Sequence, residues 1–307
     1  MNWFAITLLG TLFFVISNYI DKYLLSKYFN EDGAGPLLAI SAFIGIPLAL
    51  GIIIFHSIDF KINLSIVGAI IGGMLYMGAA WSTLKAFQQN DVSLAVPLFQ
   101  LIPVFVYTLS YMFLGEQLTI IQITGVVIVI GASIILQIRD VTLAKIVFNW
   151  KVFCFMALAS FLYALNYVIF KVVSHVGLGE MDFWNIVFWE YVGFSCVAFV
   201  SLLFFSKIRL GLLNAYRRNK KEIIVTNAIN EFVNIVGKLF LNLASLLAPI
   251  ALVWAGNAFQ GLFALILGVV LTIFFPKIIQ EDISRSTLIK KIIPITFIII
   301  GAVLINL

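Results

Sequence analysis

The side chains whose types and spacing could do chemistry lie between Asn227 and Ser245. Placed on a helix, Asn227, Asn230, Glu231, Asn234, Lys238, Asn242 and Ser245 fall within roughly ±60° of one direction. Phe232, Val233, Ile235, Val236, Leu239 and Phe240 take the rest of the circumference. Amides, a carboxylate and an ammonium on one face can hold a small solute by hydrogen bonds and charge. Glu231 and Lys238 are about 10 Å apart along that face. That is too far for a direct salt bridge unless the side chains bend together, and it suits the two ends of a zwitterionic or amphipathic solute. Glu231 would then sit near mid-depth and Lys238 closer to the other mouth, with the asparagines as neutral rungs. The competing role is interhelical glue, with the same groups bonded to neighbouring helices.

Other polar and aromatic residues recur in apolar surroundings: Asn18 and Tyr19, Tyr76, Gln100, Asn166 and Tyr167, Glu190, Trp254, Asn257 and Gln260. Each is a candidate for the same solute site. An ionisable group at membrane depth costs about 2.5–3.5 kcal/mol on insertion scales, so it faces a bundle interior and a partner. Glu190 has two candidate partners, Lys238 and Lys171. Asp21, Lys22, Lys171 and His175 lie near helix ends, where long side chains snorkel to the interface. Glu116 and Glu281 read as turn residues that cap or gate. Trp3, Trp150 and Trp184 fit an interfacial belt, while Tyr76 and Trp254 are deep enough to wall a pocket. Cys154 and Cys196 read as small core residues. No catalytic constellation, metal-ligand spacing or phosphate-cradling loop stands out, so the expectation is a non-enzyme without a cofactor. ATP-driven work would need a partner chain.

The elements that must position these residues are membrane helices. Of 307 residues, 63% are apolar and only 11% charged, with mean hydropathy +1.11. A soluble domain carries about a quarter charged residues. Apolar windows of about 20 residues recur throughout, and lipid leaves no partner for an unpaired backbone amide, so they must be helical. The windows run from Trp3 to about Tyr28, then approximately 37–56, 64–88, 93–114, 119–138, 150–175, 184–205, 222–243, 246–275 and 289–306. The widest connections are 139–149 and the basic 206–221. The fold expectation is an all-α, polytopic membrane protein of ten transmembrane helices, integral to the lipid bilayer of the cell (cytoplasmic) membrane. The net charge of +5 reflects basic loops at a membrane surface, with no nucleic-acid partner implied.

The chain also echoes itself. Ser17-Asn-Tyr-Ile-Asp-Lys22 resembles Leu165-Asn-Tyr-Val-Ile-Phe-Lys171, Ser93-Leu-Ala-Val-Pro97 resembles Ser245-Leu-Leu-Ala-Pro249, and the segment around Gly131 resembles that around Gly301. Three matches in one order predict two five-helix repeats, 1–140 and 141–307. Because five is odd, the second repeat enters the membrane from the opposite side. Inverted repeats are a transporter design, with the site near the midplane between the halves. Pro97, Pro103 and Pro249 free backbone carbonyls, as bent or broken helices near such a site require. The third window, with Gly72, Gly73, Tyr76, Ala79, Ala80 and Thr83, has no matching polar stripe. The site is therefore expected to be chemically one-sided.

Ser93-Leu-Ala-Val-Pro-Leu-Phe-Gln-Leu-Ile-Pro103, then Leu114-Gly-Glu116, Gln122, Gly125 and Gly131, resemble the EamA-type half of the drug/metabolite transporter superfamily. Pro249, Gln260, Pro276, Glu281 and Gly301 stand in similar order in the second half. The resemblance implies a proline-bearing fourth helix ending at a Gly-Glu turn, and a fifth helix packed on the third and fourth. It implies a ten-helix carrier working by alternating access, and names no substrate. It also implies cytoplasmic termini, whereas basic residues flank the odd-numbered connections and the positive-inside rule places those in the cytoplasm. The functional expectation is secondary transport of a small polar or amphipathic metabolite by a monomer or homodimer. Proton coupling or solute exchange would drive it, with Glu231 as the titrating group. The alternatives are a flippase for a lipid-linked or hydrophobic compound, and a non-transporting scaffold whose stripe a partner covers.

Overall fold

In a bilayer, each of these segments must close its backbone hydrogen bonds within itself, and each does so as helix. The computed structural model describes residues 2–29, 34–88, 96–137, 150–175, 179–274 and 285–307. Ser93, Pro276, Glu281 and the connection 139–149 lie outside the described residues. The helices are α1 (Trp3–Tyr28), α2 (Ala34–Phe55), α3 (Leu64–Phe87), α4 (Leu101–Leu114), α5 (Ile120–Gln137), α6 (Trp150–Val173), α7 (Phe183–Phe204), α8 (Ser206–Leu247), α9 (Ile250–Asn257), α10 (Gln260–Phe274) and α11 (Arg285–Ile305). A 3-10 turn, Val96–Gln100, leads into α4 and carries Pro97. Every expected window therefore holds helix. Seven described stretches are long and apolar enough to cross a membrane, and the fourth, fifth and tenth windows hold shorter apolar helices, Leu98–Leu114, Ile120–Ile135 and Ile292–Ile305.

Local chemistry sets several ends. The Asn63 side chain accepts from the Ile66 amide at 2.8 Å, and the Asp182 side chain from Trp184 and Asn185 at 3.0 and 3.1 Å, satisfying first-turn donors. Gly115 stops α4 in the left-handed conformation at φ 65°, which only glycine adopts without strain. This is the expected Gly-Glu turn.

One expected connection is absent as a loop. Residues 206–221 are the first part of α8, a continuous helix of 42 residues. Such a helix is roughly 60 Å long, about twice the hydrocarbon core. The basic segment therefore extends beyond the apolar layer, where its Lys, Arg, Leu and Ala residues are good helix formers. Arg209 donates to the Leu202 and Leu203 carbonyls at 3.0 and 2.7 Å, closing the end of α7 onto the start of α8.

The helices pack in exchangeable pairs. α3 lies on α6 and α7, while α8 lies on α1 and α2; α4 lies on α6, while α9 and α10 lie on α1. α2 packs on α7, and α5 on α11. The last pairing corrects one expectation, because the chief neighbour of α5 is α11 rather than α3 or α4. A Cβ at Gly125 would meet the Gly301 carbonyl at 2.8 Å, so these glycines let the two backbones approach. Cys154 and Cys196 are exposed on the outer surface, not in the core. In a membrane the outward face is as apolar as the interior, so an apolar context cannot tell the two apart.

The tightest crossing is that of α3 and α7. A Cβ at Gly193 would lie 2.1 Å from the Ile70 carbonyl oxygen, and one at Gly73 would lie 1.9 Å from that of Glu190. Gly193→Ala should force the backbones apart and cost about 1–3 kcal/mol, read as a lowered melting temperature in detergent. Gly51→Ala, with nothing within 4 Å of the added carbon, should leave the melting temperature unchanged or slightly raised.

Candidate solute-binding site

Asn257 and Gln260 flank a break in a helix. After α9 the chain makes two tight turns, with Ala258 N donating to the Ala255 carbonyl and Phe259 N to that of Gly256, both at 3.1 Å, before α10 begins. The break leaves backbone groups that lipid cannot satisfy. Ser133 on α5 donates to the Ala258 carbonyl at 2.7 Å, and Thr11 on α1 donates to the Asn257 side-chain oxygen at 2.9 Å. Neighbouring hydroxyls thus hold the broken segment against α1 and α5.

This break borders a narrow cleft in the interior of the bundle. Eight of the residues singled out from sequence line it: Asn18, Tyr76, Tyr167, Glu231, Asn234, Trp254, Asn257 and Gln260. They come from α1, α3, α6, α8, α9 and α10. Ser41 and Tyr163, which sequence reasoning passed over, line it as well, together with Ser17 and Thr83 and with Asp21, which the sequence places at membrane depth near a helix end. Asp21 is not a snorkelling residue but a cavity carboxylate. Its position three residues from Asn18, one helical turn along the same face, was the available signal.

The remaining expected site residues stand behind this wall or apart from it. Asn230, fully buried, accepts from the Ser17 hydroxyl at 2.8 Å and donates to the Asp21 carboxylate at 2.7 Å. It positions two lining groups without lining the cleft itself. Asn227 exchanges hydrogen bonds of 3.4 Å with Ser41 on α2. Tyr19 donates to the Ala264 carbonyl at 2.9 Å, tying α1 to α10. Asn242 and Gln100 are buried; both amide atoms of Asn242 and the side-chain oxygen of Gln100 lack hydrogen-bond partners among the described residues. The two Asn-Tyr pairs split their roles. Asn18 lines the cleft while Tyr19 packs; Tyr167 lines it while Asn166 packs.

Lys238 overturns the expectation that it and Glu231 bind opposite ends of a solute. Its ammonium lies 3.1 Å from a Glu190 carboxylate oxygen, with both side chains almost completely buried. The same ammonium sits 4.2 Å from the Tyr76 ring centre and 5.7 Å from that of Tyr191. Asn166 donates to the other Glu190 oxygen at 2.7 Å and to the Gly72 carbonyl at 2.9 Å. Lys238 is therefore committed to α3 and α7 in a small adjoining compartment that Tyr76, Phe194, Glu231 and Asn234 share with the cleft. Tyr76 also donates to the Asn234 side-chain oxygen at 3.0 Å. The far wall is aromatic: Tyr76 and Tyr163 meet edge to face at 5.2 Å, and Tyr167 and Trp254 at 4.6 Å. The third helix contributes Tyr76 and Thr83 to the lining, while α6 and α9 supply the other aromatic groups opposite the polar stripe.

Lys171 likewise does not snorkel. It is buried and donates to Glu116 at 2.5 Å and to the Ala248 carbonyl at 2.7 Å. Glu116 also accepts from the Ile250 amide at 3.0 Å, capping the start of α9. The clamp joins α4, α6 and α9 at one end of the bundle. Among the other aromatics, Trp81 faces outward, Trp184 stacks on His56 at 4.8 Å, and Trp189 donates to the Asp59 carbonyl at 3.2 Å. A separate apolar groove opens sideways between α2 and α7, lined by Phe43, Ile46, Leu50, Tyr191 and Phe199 among others.

Removing one member of the Lys171–Glu116 pair would leave a buried charge uncompensated, at about 3–5 kcal/mol. Lys171→Met should lower the unfolding midpoint in detergent by that measure, and Glu116→Gln in the same chain should restore much of it. An additive loss in the double variant would mean that the two groups do not depend on each other.

Comparison with known proteins bears on the fold. Residues 2–138 match the model of the EamA-like transporter family. A solved crystal structure superposes over 99% of this chain and 98% of its own, with a TM-score of 0.62 at 13% identity. That likeness is one of fold. No curated protein matches. Residues 2–138 are thus similar to the EamA-like transporters of the drug/metabolite transporter superfamily, and the chain as a whole is a nearly all-helical, polytopic membrane protein.

Proposed function

We propose that the protein is a secondary carrier of a small amphipathic metabolite, moved by alternating access of two inverted five-helix halves, 1–140 and 141–307. The observation that carries this reading is the cleft itself. It draws carboxylates, amides and aromatic side chains from helices of both halves into the interior of an apolar bundle. The exchangeable helix pairs support the two-half division: α3 with α6 and α8 with α1 are counterparts, as are α3 with α7 and α8 with α2. The irregular starts of the fourth window and the middle of the ninth support a site built on interrupted helices. In this reading the Glu116–Lys171 clamp is a closed gate at one end. Glu231 is the group that carries a coupled proton, or that exchanges one cargo for another. The sideways groove between α2 and α7 favours a second reading, a flippase whose cargo enters from the lipid.

Transport by reconstituted protein separates these. A metabolite selected by thermal-shift screening should accumulate in proteoliposomes under a proton gradient. Glu231→Gln should reduce that uptake to background while its melting temperature stays near wild type. Wild-type, gradient-dependent uptake by this variant removes Glu231 from the coupling step. Movement of labelled lipid between leaflets, with no uptake of water-soluble compounds, would favour the flippase.

A further inference from the structure

We infer that the cleft selects an organic cation: an amine-bearing solute with an apolar or aromatic body. This rests on the carrier reading and deepens it. Asp21 from α1 and Glu231 from α8 line the cleft, and neither forms an ion pair among the described residues. Lys238, the ammonium that lines the adjoining compartment, is bound to Glu190. The cleft and that compartment together hold three carboxylates and one ammonium. The other titratable groups facing it are phenols, Tyr76, Tyr163 and Tyr167. Charge of one sign in a low-dielectric recess concentrates ions of the opposite sign, and an ammonium entering between Asp21 and Glu231 would supply the missing counter-charge.

A second observation points to a ligand rather than a mere acidic cluster. Trp254, 4% exposed, and Tyr167, 1% exposed, line the same cleft, and the Trp254 indole nitrogen and the Tyr167 hydroxyl have no hydrogen-bond partner among the described residues. A buried donor left unpaired is destabilising unless something supplies its acceptor. A ligand acceptor placed beside the ammonium-binding end would satisfy the indole N–H. The protein's own Lys238 displays the binding mode next door, an ammonium held between a carboxylate and the faces of Tyr76 and Tyr191. Tyr76 borders both spaces, so the cleft offers a solute ammonium the same two kinds of partner.

The test reads the charge of the cleft without needing the solute. In full-length protein in liposomes with Cys154 and Cys196 replaced by alanine, Asn18→Cys or, separately, Ser41→Cys puts a thiol on the lining. Its labelling rates with cationic trimethylammonioethyl and anionic sulfonatoethyl methanethiosulfonate are compared with those of glutathione. The expected result is a cation preference about tenfold or more above glutathione, lost when Asp21→Asn and Glu231→Gln are added. Labelling without cation preference, or a preference that survives both neutralising substitutions, overturns the inference and leaves the carrier reading standing. Protection of both positions from both reagents, in a protein that retains its wild-type melting temperature, would overturn the carrier reading with it.

Discussion

An ammonium group cannot be left unpaired in hydrocarbon, and the position of Lys238 constrains much of this structure. Its charge is met by Glu190 on α7 and by the Tyr76 ring on α3, and Glu190 is in turn bound by Asn166 on α6. Four helices from different parts of the chain are thereby tied at one point. The pairing requires α3 and α7 to cross at backbone contact, which Gly73 and Gly193 permit. Helix association in lipid gains little from burying apolar surface, so close packing and internal polar contacts have to supply it.

Once Lys238 is committed in this way, the polar stripe of α8 divides by depth and by neighbour. Asn227 and Asn230 bind Ser41, Ser17 and Asp21 on α2 and α1. Glu231 and Asn234 face the cleft. Lys238 closes the adjoining compartment. Both roles weighed for the stripe are therefore present on one helix: some of its residues join helices, and others line a space. The amides that join helices also fix the cleft, because Asn230 orients the Asp21 carboxylate that borders it.

The irregular parts of the chain follow the same rule. Where α9 gives way to α10, Ser133 takes up the freed Ala258 carbonyl and Thr11 bonds the Asn257 side chain. Where α8 gives way to α9, Glu116 and Lys171 take up the Ile250 amide and the Ala248 carbonyl. Non-helical backbone at these depths persists only where side chains from other helices complete its hydrogen bonds. The cleft borders the first break, so the interruption that brings Asn257 and Gln260 to the lining is secured from outside the lining.

Sequence alone determined that this is an all-helical membrane protein, where its apolar windows fall, and that one face of the eighth helix is polar. These follow from local rules: lipid demands closed backbone hydrogen bonds, and helical periodicity assigns faces. The Gly115-Glu116 turn was legible for the same reason. Pairing was not legible. Nothing in the spacing of Glu231 and Lys238 says that Glu190 reaches the lysine, that Lys171 reaches Glu116, or that Asp21 turns inward beside Asn18. Those outcomes depend on which helices cross and how closely, a choice made by distant glycines and by side chains far apart in the chain. The lipid-facing placement of Cys154 and Cys196 was equally hidden, since a bilayer makes the outside of a protein as apolar as its core. Local chemistry named the charged groups; only the tertiary structure decided which are paired with each other and which, Asp21 and Glu231, stand on the cleft wall.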